Sequence, residues 1–259
     1  MQTDMEAALA VAENALREDV VIEDAVAAFG DGRVVLPVGL ETPTGLVSDA
    51  LVRELNGYDE EVVGRLKSPG ARLAAILNRG VVQVGESQAS TKTLDSLTIP
   101  DRIELFLAIR TVTWGDQVQW NIQCSDCGAE SEVGLSLSRD VPRKPASASG
   151  LFAVSLPFGR AEVRWPNGKV HERLMSGSFK STGELVTYLI AQCVESIDDM
   201  PLLDGEESAR ALPSRVRKEL FTILMDDLPG PQLDEVPLTC PACGSDVPVQ
   251  LWLGAIFPL

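Results

Sequence analysis

The chain has 259 residues and a formal net charge of −16, from 38 acidic against 22 basic residues, which argues against a nucleic-acid binder because such a protein needs a basic face for phosphate contact. The hydrophobic content of 45% indicates a globular protein rather than a disordered one. No apolar run approaches the roughly 20 residues of a membrane span, and the N-terminus lacks the pattern of a secretory signal, so we expect a soluble protein without an export signal of its own.

Residues 1–33 are predicted to form an acidic N-terminal arm or peripheral helix, with Ala8, Val11, Ala15 and Val20 along one side. The stretch RVVLPVGLETPTGLVSDALVREL then predicts a strand, a turn and the start of a helix. The segment from Pro43 to Gly45 supplies the turn residues, and we expect Ser48 or Asp49 to cap a helix that begins near Ala50.

The next stretch, GARLAAILNRGVVQVG, predicts a helix that runs into a strand, and IPDRIELFLAIRTVTWG predicts a second helix with Pro100 in its first turn. In DQVQWNIQCSDCGAESEVGLSL, apolar residues alternate on both sides of a Cys-x-x-Cys-Gly turn. This pattern predicts a β-hairpin with the cysteines at its tip. Residues 138–151 are rich in Ser, Pro and Ala and are predicted to be a linker.

The rest of the chain presents the same kinds of element in the same order. FAVSLPFGRAEVRWPNG predicts a hairpin with Pro166, Asn167 and Gly168 as its turn, two helices follow, and DEVPLTCPACGSDVPVQLWL predicts a second Cys-tipped hairpin. Three landmarks recur at similar offsets: LPVG and LPFG (156 − 36 = 120), the two ELF strings (219 − 104 = 115) and the first cysteines (240 − 124 = 116). We therefore predict an α+β fold with an internal duplication, residues 34–137 and 152–259.

The cysteines form two Cys-x-x-Cys pairs, Cys124 with Cys127 and Cys240 with Cys243. Each pair supplies two thiolates and tetrahedral zinc takes four, so one structural Zn²⁺ held by all four residues would join the two copies in a zinc-ribbon-like site. A catalytic zinc would need an open coordination position, which four thiolates do not leave.

A thiol oxidoreductase is the alternative use of such pairs. Redox pairs usually begin a helix, whereas these lie at hairpin tips beside acidic residues that are expected to raise the thiol pKa.

The fifth cysteine, Cys193, is predicted to be a buried inert thiol, and the only histidine, His171, is predicted to lie at the surface. With one histidine no Ser-His-Asp triad is available, and we predict that the protein is not an enzyme.

The chain ends in VQLWLGAIFPL, with Trp252, Ile256 and Phe257 close to the last residue. An apolar terminus of this kind either completes the core or inserts into a partner protein.

Asp101, Arg102, Leu105, Gly115, Asp116, Cys124, Cys127 and Val133 form an Asp-Arg-x-x-Leu helix, a Gly-Asp turn and a Cys-x-x-Cys strand motif. This pattern resembles the baseplate hub assembly chaperones, or hub subunits, of T-even-like contractile-tailed phages, although LPGPQLDEV replaces the Gly-Asp turn in the second copy. The resemblance implies a non-enzymatic structural or assembly protein that contacts other tail or baseplate proteins. It would act in the host cytoplasm during assembly and could stay in the tail baseplate. A zinc-ribbon accessory factor of nucleic-acid machinery and a Cys-x-x-Cys thiol oxidoreductase are the alternatives.

Overall fold

A computed structural model describes residues 31–146, 148–157 and 159–257. The predicted N-terminal arm, residues 1–33, lies outside the described residues except for its last three. The described chain is a mixture of helices and antiparallel strands, which confirms the α+β class.

The first half of the described chain holds three antiparallel hairpins with helices between them. Its elements are β1 (Arg33–Thr42), β2 (Gly45–Val52), α1 (Gly57–Gly64), α2 (Pro69–Gly80), β3 (Val81–Val84), β4 (Ser87–Gln88), α3 (Thr91–Ser96), α4 (Ile99–Trp114), β5 (Gln117–Gln123) and β6 (Glu130–Ser136).

After β7 (Arg143–Lys144), the second half presents a comparable series. Its elements are β8 (Leu151–Leu156), β9 (Gly159–Arg164), α5 (Gly168–Met175), α6 (Thr182–Cys193), β10 (Val194–Ile197), β11 (Met200–Pro201), α7 (Glu206–Ala211), α8 (Ser214–Phe221) with a π-helical end (Thr222–Asp226), β12 (Gly230–Pro231), β13 (Val236–Thr239), β14 (Asp246–Val249) and α9 (Leu253–Ile256).

The two halves agree in element order and in the length of several elements. Helices α2 and α6 have 12 residues each, α1 and α5 have 8 each, and α3 and α7 have 6 each. Each half builds a four-stranded antiparallel sheet, in the order β1-β2-β3-β4 and β11-β10-β9-β8. Each half also ends in a two-stranded hairpin that carries a Cys-x-x-Cys turn.

Two local expectations are wrong. The predicted helix near Ala50 is strand β2, which lies between β1 and β3 and pairs with both. The hairpin after the linker does not turn at Pro166–Gly168 but where Leu156 pairs with Gly159. Asn167 instead caps α5, since its side-chain oxygen accepts hydrogen bonds from the N–H groups of Lys169 and Val170.

The buried apolar side chains form two clusters that do not follow the order of the chain. One cluster joins the first half, from Val34 to Val141, to the last segment, from Val236 to Phe257. The other contains buried residues from Ala161 to Leu224. The second Cys-tipped hairpin therefore packs with the first half of the protein, which brings it beside the first Cys-tipped hairpin.

The N-terminal turn of α4 connects the two halves. Ile99 N–H donates to the Pro166 carbonyl and Gly168 N–H donates to the Leu97 carbonyl, both at 2.9 Å. Arg102, which is 1% exposed, donates to the Leu94 carbonyl and to the Glu172 carboxylate, again at 2.9 Å.

His171 lies beside this junction and is buried, so the expectation of a surface histidine is wrong. Burial and the charge of Arg102 lower the pKa of His171 to about 4. The imidazole is therefore neutral at pH 7. It packs as part of the second half, in helix α5.

The C-terminal segment completes part of the first cluster. Completion of the core was one of the two alternatives that the sequence left open for this segment. Ile256 and Phe257 are buried, and the Phe257 ring lies 4.7 Å from that of Phe106 and 4.8 Å from that of Trp114. Arg110 Nε donates to the Ile256 carbonyl at 2.7 Å. Trp252 is 60% exposed and stays available for contact with another protein.

Among the described helices, none is long and apolar enough to cross a membrane.

Candidate metal centre

Strand alternation directs the first cysteine of each pair inward. In β5, Val118 and Ile122 are buried, and Cys124 lies two positions further along the same face. In β13, Val236 and Leu238 are buried, and Cys240 follows with the same two-residue spacing. Cys124 and Cys240 are consequently buried, whereas Cys127 and Cys243 are exposed on the outer side of the turns.

The two Cys-x-x-Cys turns have the same backbone hydrogen bonds. Gly128 N–H donates to the Cys124 carbonyl and Cys124 N–H donates to the Ala129 carbonyl, both at 2.9 Å. The equivalent bonds in the second turn, from Gly244 to Cys240 and from Cys240 to Ser245, are both 2.8 Å.

The glycine after each second cysteine is required by its backbone conformation. Gly128 has φ 72° and Gly244 has φ 79°, in the left-handed region that side chains disfavour. A Cβ atom at either position would meet nothing within 4 Å. The backbone angle, not space, therefore selects glycine in both turns.

The four thiols come together as a compact group of sulfur atoms. All four Sγ atoms lie within 4.8 Å of one another. The Cys124 and Cys243 sulfurs are 3.6 Å apart, and those of Cys127 and Cys240 are 3.8 Å apart. A disulfide would require about 2.05 Å. Four sulfurs placed about 2.3 Å from a tetrahedral ion lie about 3.8 Å apart, so these distances are compatible with a bound metal.

Neighbouring groups shift the pKa of two of the thiols, Cys127 and Cys243, in opposite directions. At Cys127 a hydrogen bond with the Ala129 backbone lowers the pKa, but the neighbouring thiols, Cys243 first among them, outweigh it and raise the pKa to about 12. At Cys243 hydrogen bonds with Ser245 lower the pKa to about 6. The expected rise in thiol pKa thus occurs at Cys127 but not at Cys243, and its source is the other thiols rather than the nearby carboxylates. A divalent cation would remove the mutual repulsion and favour four thiolates.

All four predicted cysteines meet at this point, and the fifth does not. Cys193 ends α6 inside the second cluster and is 1% exposed, as predicted. Burial raises the pKa of its thiol to about 12, which makes it a poor nucleophile.

Residues at the base of the first hairpin hold it in position through contacts that no sequence pattern indicates. Asp116 accepts hydrogen bonds from the Ser136 hydroxyl and from Ser138 N–H, so its carboxylate links the two ends of the hairpin. Gly115, with φ 85°, ends α4 and directs the chain into β5. The Gly-Asp turn is visible in the sequence, but its partners become apparent only when β6 pairs with β5.

Asp101, at the start of α4, has a similar role towards the sheet. Its carboxylate accepts the Val38 and Gly39 N–H groups at 2.8 and 3.0 Å and also the Thr98 hydroxyl at 2.6 Å. The carboxylate therefore satisfies backbone donors of β1 at the irregularity in its pairing with β2. From the sequence, Asp101 belongs to the Asp-Arg-x-x-Leu motif, and its contacts with β1 were not predicted.

A family model described as "T4 bacteriophage base plate protein" matches residues 75–252 of the chain. The matched range includes both Cys-x-x-Cys turns and the junction between the halves. Neither a curated protein nor a solved structure matches the chain.

Proposed function

The chain belongs to the T4 bacteriophage base plate protein family, and from this membership we propose that it is a zinc-stabilised structural or assembly protein of a contractile-tail baseplate, in the hub or wedge. The family match supports a structural role in the tail baseplate and suggests a non-enzymatic protein. It is the single observation that carries the proposal. The finer assignment to hub assembly or to a hub subunit rests on the residue motif that runs from Asp101 to Val133.

We propose Zn²⁺ as the ion and Cys124, Cys127, Cys240 and Cys243 as its ligands. Support comes from the donor set, since four thiolates suit a closed tetrahedral site, and from the spacing of the sulfur atoms. Bound there, zinc would supply a structural cross-link between the two hairpins and no open position for chemistry. Because the hairpins are far apart in sequence, the cross-link would close a long stretch of chain and stabilise the folded state.

We further propose that the two halves arose by internal duplication, with units 34–137 and 152–259, a connecting segment 138–151 and an N-terminal arm 1–33. The matching element order, helix lengths and sheet orders support it. The turn hydrogen bonds around the two Cys pairs support it as well. In this interpretation the zinc-ribbon-like site joins equivalent corners of the two units.

The protein would act through contacts with other tail proteins, as the family suggests. A net charge of −16 disfavours self-association and attracts basic surfaces on partners. Trp252 is a candidate contact residue, because a largely exposed tryptophan offers a large apolar area to a partner.

Deletion of the gene in its phage or phage-derived injection system tests the proposal. We expect particles with missing or defective baseplates in electron micrographs, restored by the wild-type gene. We also expect the tagged protein to co-purify with hub or wedge components. Normal baseplates in the deletion strain, together with absence of the chain from purified particles, would contradict a baseplate role.

A further inference from the structure

Strand β8 forms one edge of the second four-stranded sheet. It pairs with β9 along its whole length, from Leu151 opposite Arg164 to Leu156 opposite Gly159. Within the described residues, no strand and no backbone hydrogen bond occupies the other side of β8. An edge strand with open N–H and C=O groups is a template for pairing with a further strand.

The other three edges of the two four-stranded sheets are protected. Strands β4 and β11 have only two residues each. Strand β1 contains Pro37 and an irregularity in its pairing, and the Val38 and Gly39 N–H groups are bound by Asp101. Strand β8 has the sequence LFAVSL, with no charged residue, no proline and no irregular pairing. It therefore lacks the features by which proteins usually protect an edge.

The backbone groups that β8 leaves open can be assigned from its partner strand. Arg160 lies opposite Ser155, but its N–H donates to the Asp198 carboxylate at 2.9 Å and its carbonyl accepts from the Asp198 N–H at 2.8 Å. Both groups of Arg160 are thus directed away from β8, so Ser155 directs its own N–H and carbonyl away from β9. Because this direction alternates along a strand, Ala153 and Leu151 do the same.

The open groups of β8 match those of a second copy of β8. Two antiparallel strands exchange hydrogen bonds when open residues lie opposite open residues. This occurs if Ala153 faces Ala153 of the second copy across a twofold axis, because Leu151 then faces Ser155 of the second copy. On the other side of the strand, Phe152 faces Val154, an aromatic and β-branched pair that is favourable across strands. No charged side chain faces another in this register.

The charges near β8 do not oppose this pairing, although the chain carries −16 overall. Arg164 forms a salt bridge with Glu195 at 2.8 Å, and Arg160 lies 4.0 Å from Glu162, so these four charges sum to zero. In the paired arrangement the two β9 strands would be three strand spacings apart, about 14 Å. That separation exceeds the Debye length of about 8 Å at physiological ionic strength, so like charges on the two copies are largely screened.

We propose that β8 pairs antiparallel with β8 of a second copy of this chain, which joins two four-stranded sheets into one sheet of eight strands. The half-buried side chains of Phe152, Val154 and Leu156 pack against the second apolar cluster, and the pairing extends this cluster across the interface. An interface of six-residue strands is smaller than the roughly 1,200–2,000 Å² of stable complexes, so we expect a dissociation constant in the micromolar range. This dimer does not depend on the baseplate role.

Sedimentation equilibrium of the full-length protein over a wide range of concentrations tests the dimer. Ala153→Lys places two ammonium groups opposite each other at the twofold axis, and we expect the dissociation constant to rise about tenfold at low salt. Val35→Lys is the matched control, because Val35 is 77% exposed in the edge strand β1 of the other sheet, and it should leave the constant unchanged. A wild type that stays monomeric, or equal constants in all three proteins, would overturn the proposal.

Hydrogen exchange read by mass spectrometry adds a test on the unaltered chain. Exchange in β8 should slow as the protein concentration rises, whereas exchange in β1 should not change. Ala153→Pro removes an outward N–H and no bond of the β8–β9 ladder, so it should abolish the concentration dependence. Protection of β8 that is the same at every concentration would show that the edge is not filled by a second copy, and it would contradict the proposal.

Discussion

Phe257 links the C-terminal segment to the first half of the protein, and its removal should destabilise that half selectively. The side chain is 3% exposed and packs against Phe106 and Trp114. The adjacent Ile256 carbonyl is held by Arg110. Phe257→Ala would leave a cavity at the point where the last residues of the chain complete the first cluster.

The expected loss of free energy of unfolding follows from the burial of Phe257. Truncation of a buried Phe to Ala destabilises a protein by about 3–5 kcal/mol, the sum of lost apolar transfer, lost ring contacts and the cavity that remains. Trp252→Ala is the matched control in the same segment. Because Trp252 is 60% exposed, we expect its truncation to cost less than about 1 kcal/mol.

Equilibrium unfolding in urea gives the change in the free energy of unfolding, and hydrogen exchange read by mass spectrometry locates it. In Phe257→Ala we expect faster exchange in α4 and in both Cys-tipped hairpins. Exchange should remain slow in α6, which belongs to the second cluster. Two results would refute the assignment of the C-terminus to the first cluster. One is an equal loss of free energy of unfolding in the two variants, and the other is hydrogen exchange in α6 that is accelerated as much as in α4.

Other substitutions test the remaining features. Cys240→Ser should abolish metal binding, whereas Cys193→Ser should retain it, as elemental analysis of both variants would show. Gly168→Ala would place a Cβ 2.2 Å from Arg102 Nη1, and we expect a lower free energy of unfolding by about 1–3 kcal/mol, with Gly183→Ala as the control because its Cβ meets nothing closer than 3.7 Å. Since the pKa of His171 falls to about 4 on folding, the unfolded chain binds the extra proton, and stability should drop by about 2 kcal/mol between pH 7 and pH 5. His171→Gln should remove that part of the pH dependence in urea unfolding curves; an unchanged curve would contradict a buried neutral imidazole.

Local chemistry made the cysteine cluster predictable. The Cys-x-x-Cys-Gly spacing and the flanking strand alternation are properties of a few neighbouring residues, and the ligand count of zinc suggested that two pairs meet at one ion. The structure brings the four sulfurs together, as expected. Helices α2 and α4 and the two Cys-tipped hairpins were predictable for the same reason, since helix and strand periodicity are local.

Errors arose where tertiary contacts decide the outcome. The stretch around Ala50 has polar residues that suit a helix cap, but pairing with β1 and β3 on both sides makes it a strand. The LPVG and LPFG strings looked equivalent, yet Pro37 lies within β1 and Pro157 lies in a hairpin turn. The Val38 and Gly39 N–H groups near the first string are satisfied by Asp101, 63 and 62 positions away, which no local pattern reveals.

The burial of His171 was also predicted wrongly because it depends on tertiary contacts. It follows a turn in a polar stretch, which suggested a surface position, but α5 packs against the N-terminal turn of α4 and covers the imidazole. The packing of the second Cys-tipped hairpin with the first half is likewise a matter of long-range contact, and the sequence placed that hairpin with residues 152–259.

Metal content per chain tests most directly whether one zinc ion joins the two hairpins. The full-length protein should be purified without added zinc or chelator and its metals measured by elemental analysis, with the double variant Cys127→Ser and Cys243→Ser as control. We expect about one Zn²⁺ per chain in the wild type and none in the variant. A metal-free wild type with reversible disulfides within each Cys-x-x-Cys pair would contradict the zinc centre and favour thiol chemistry instead.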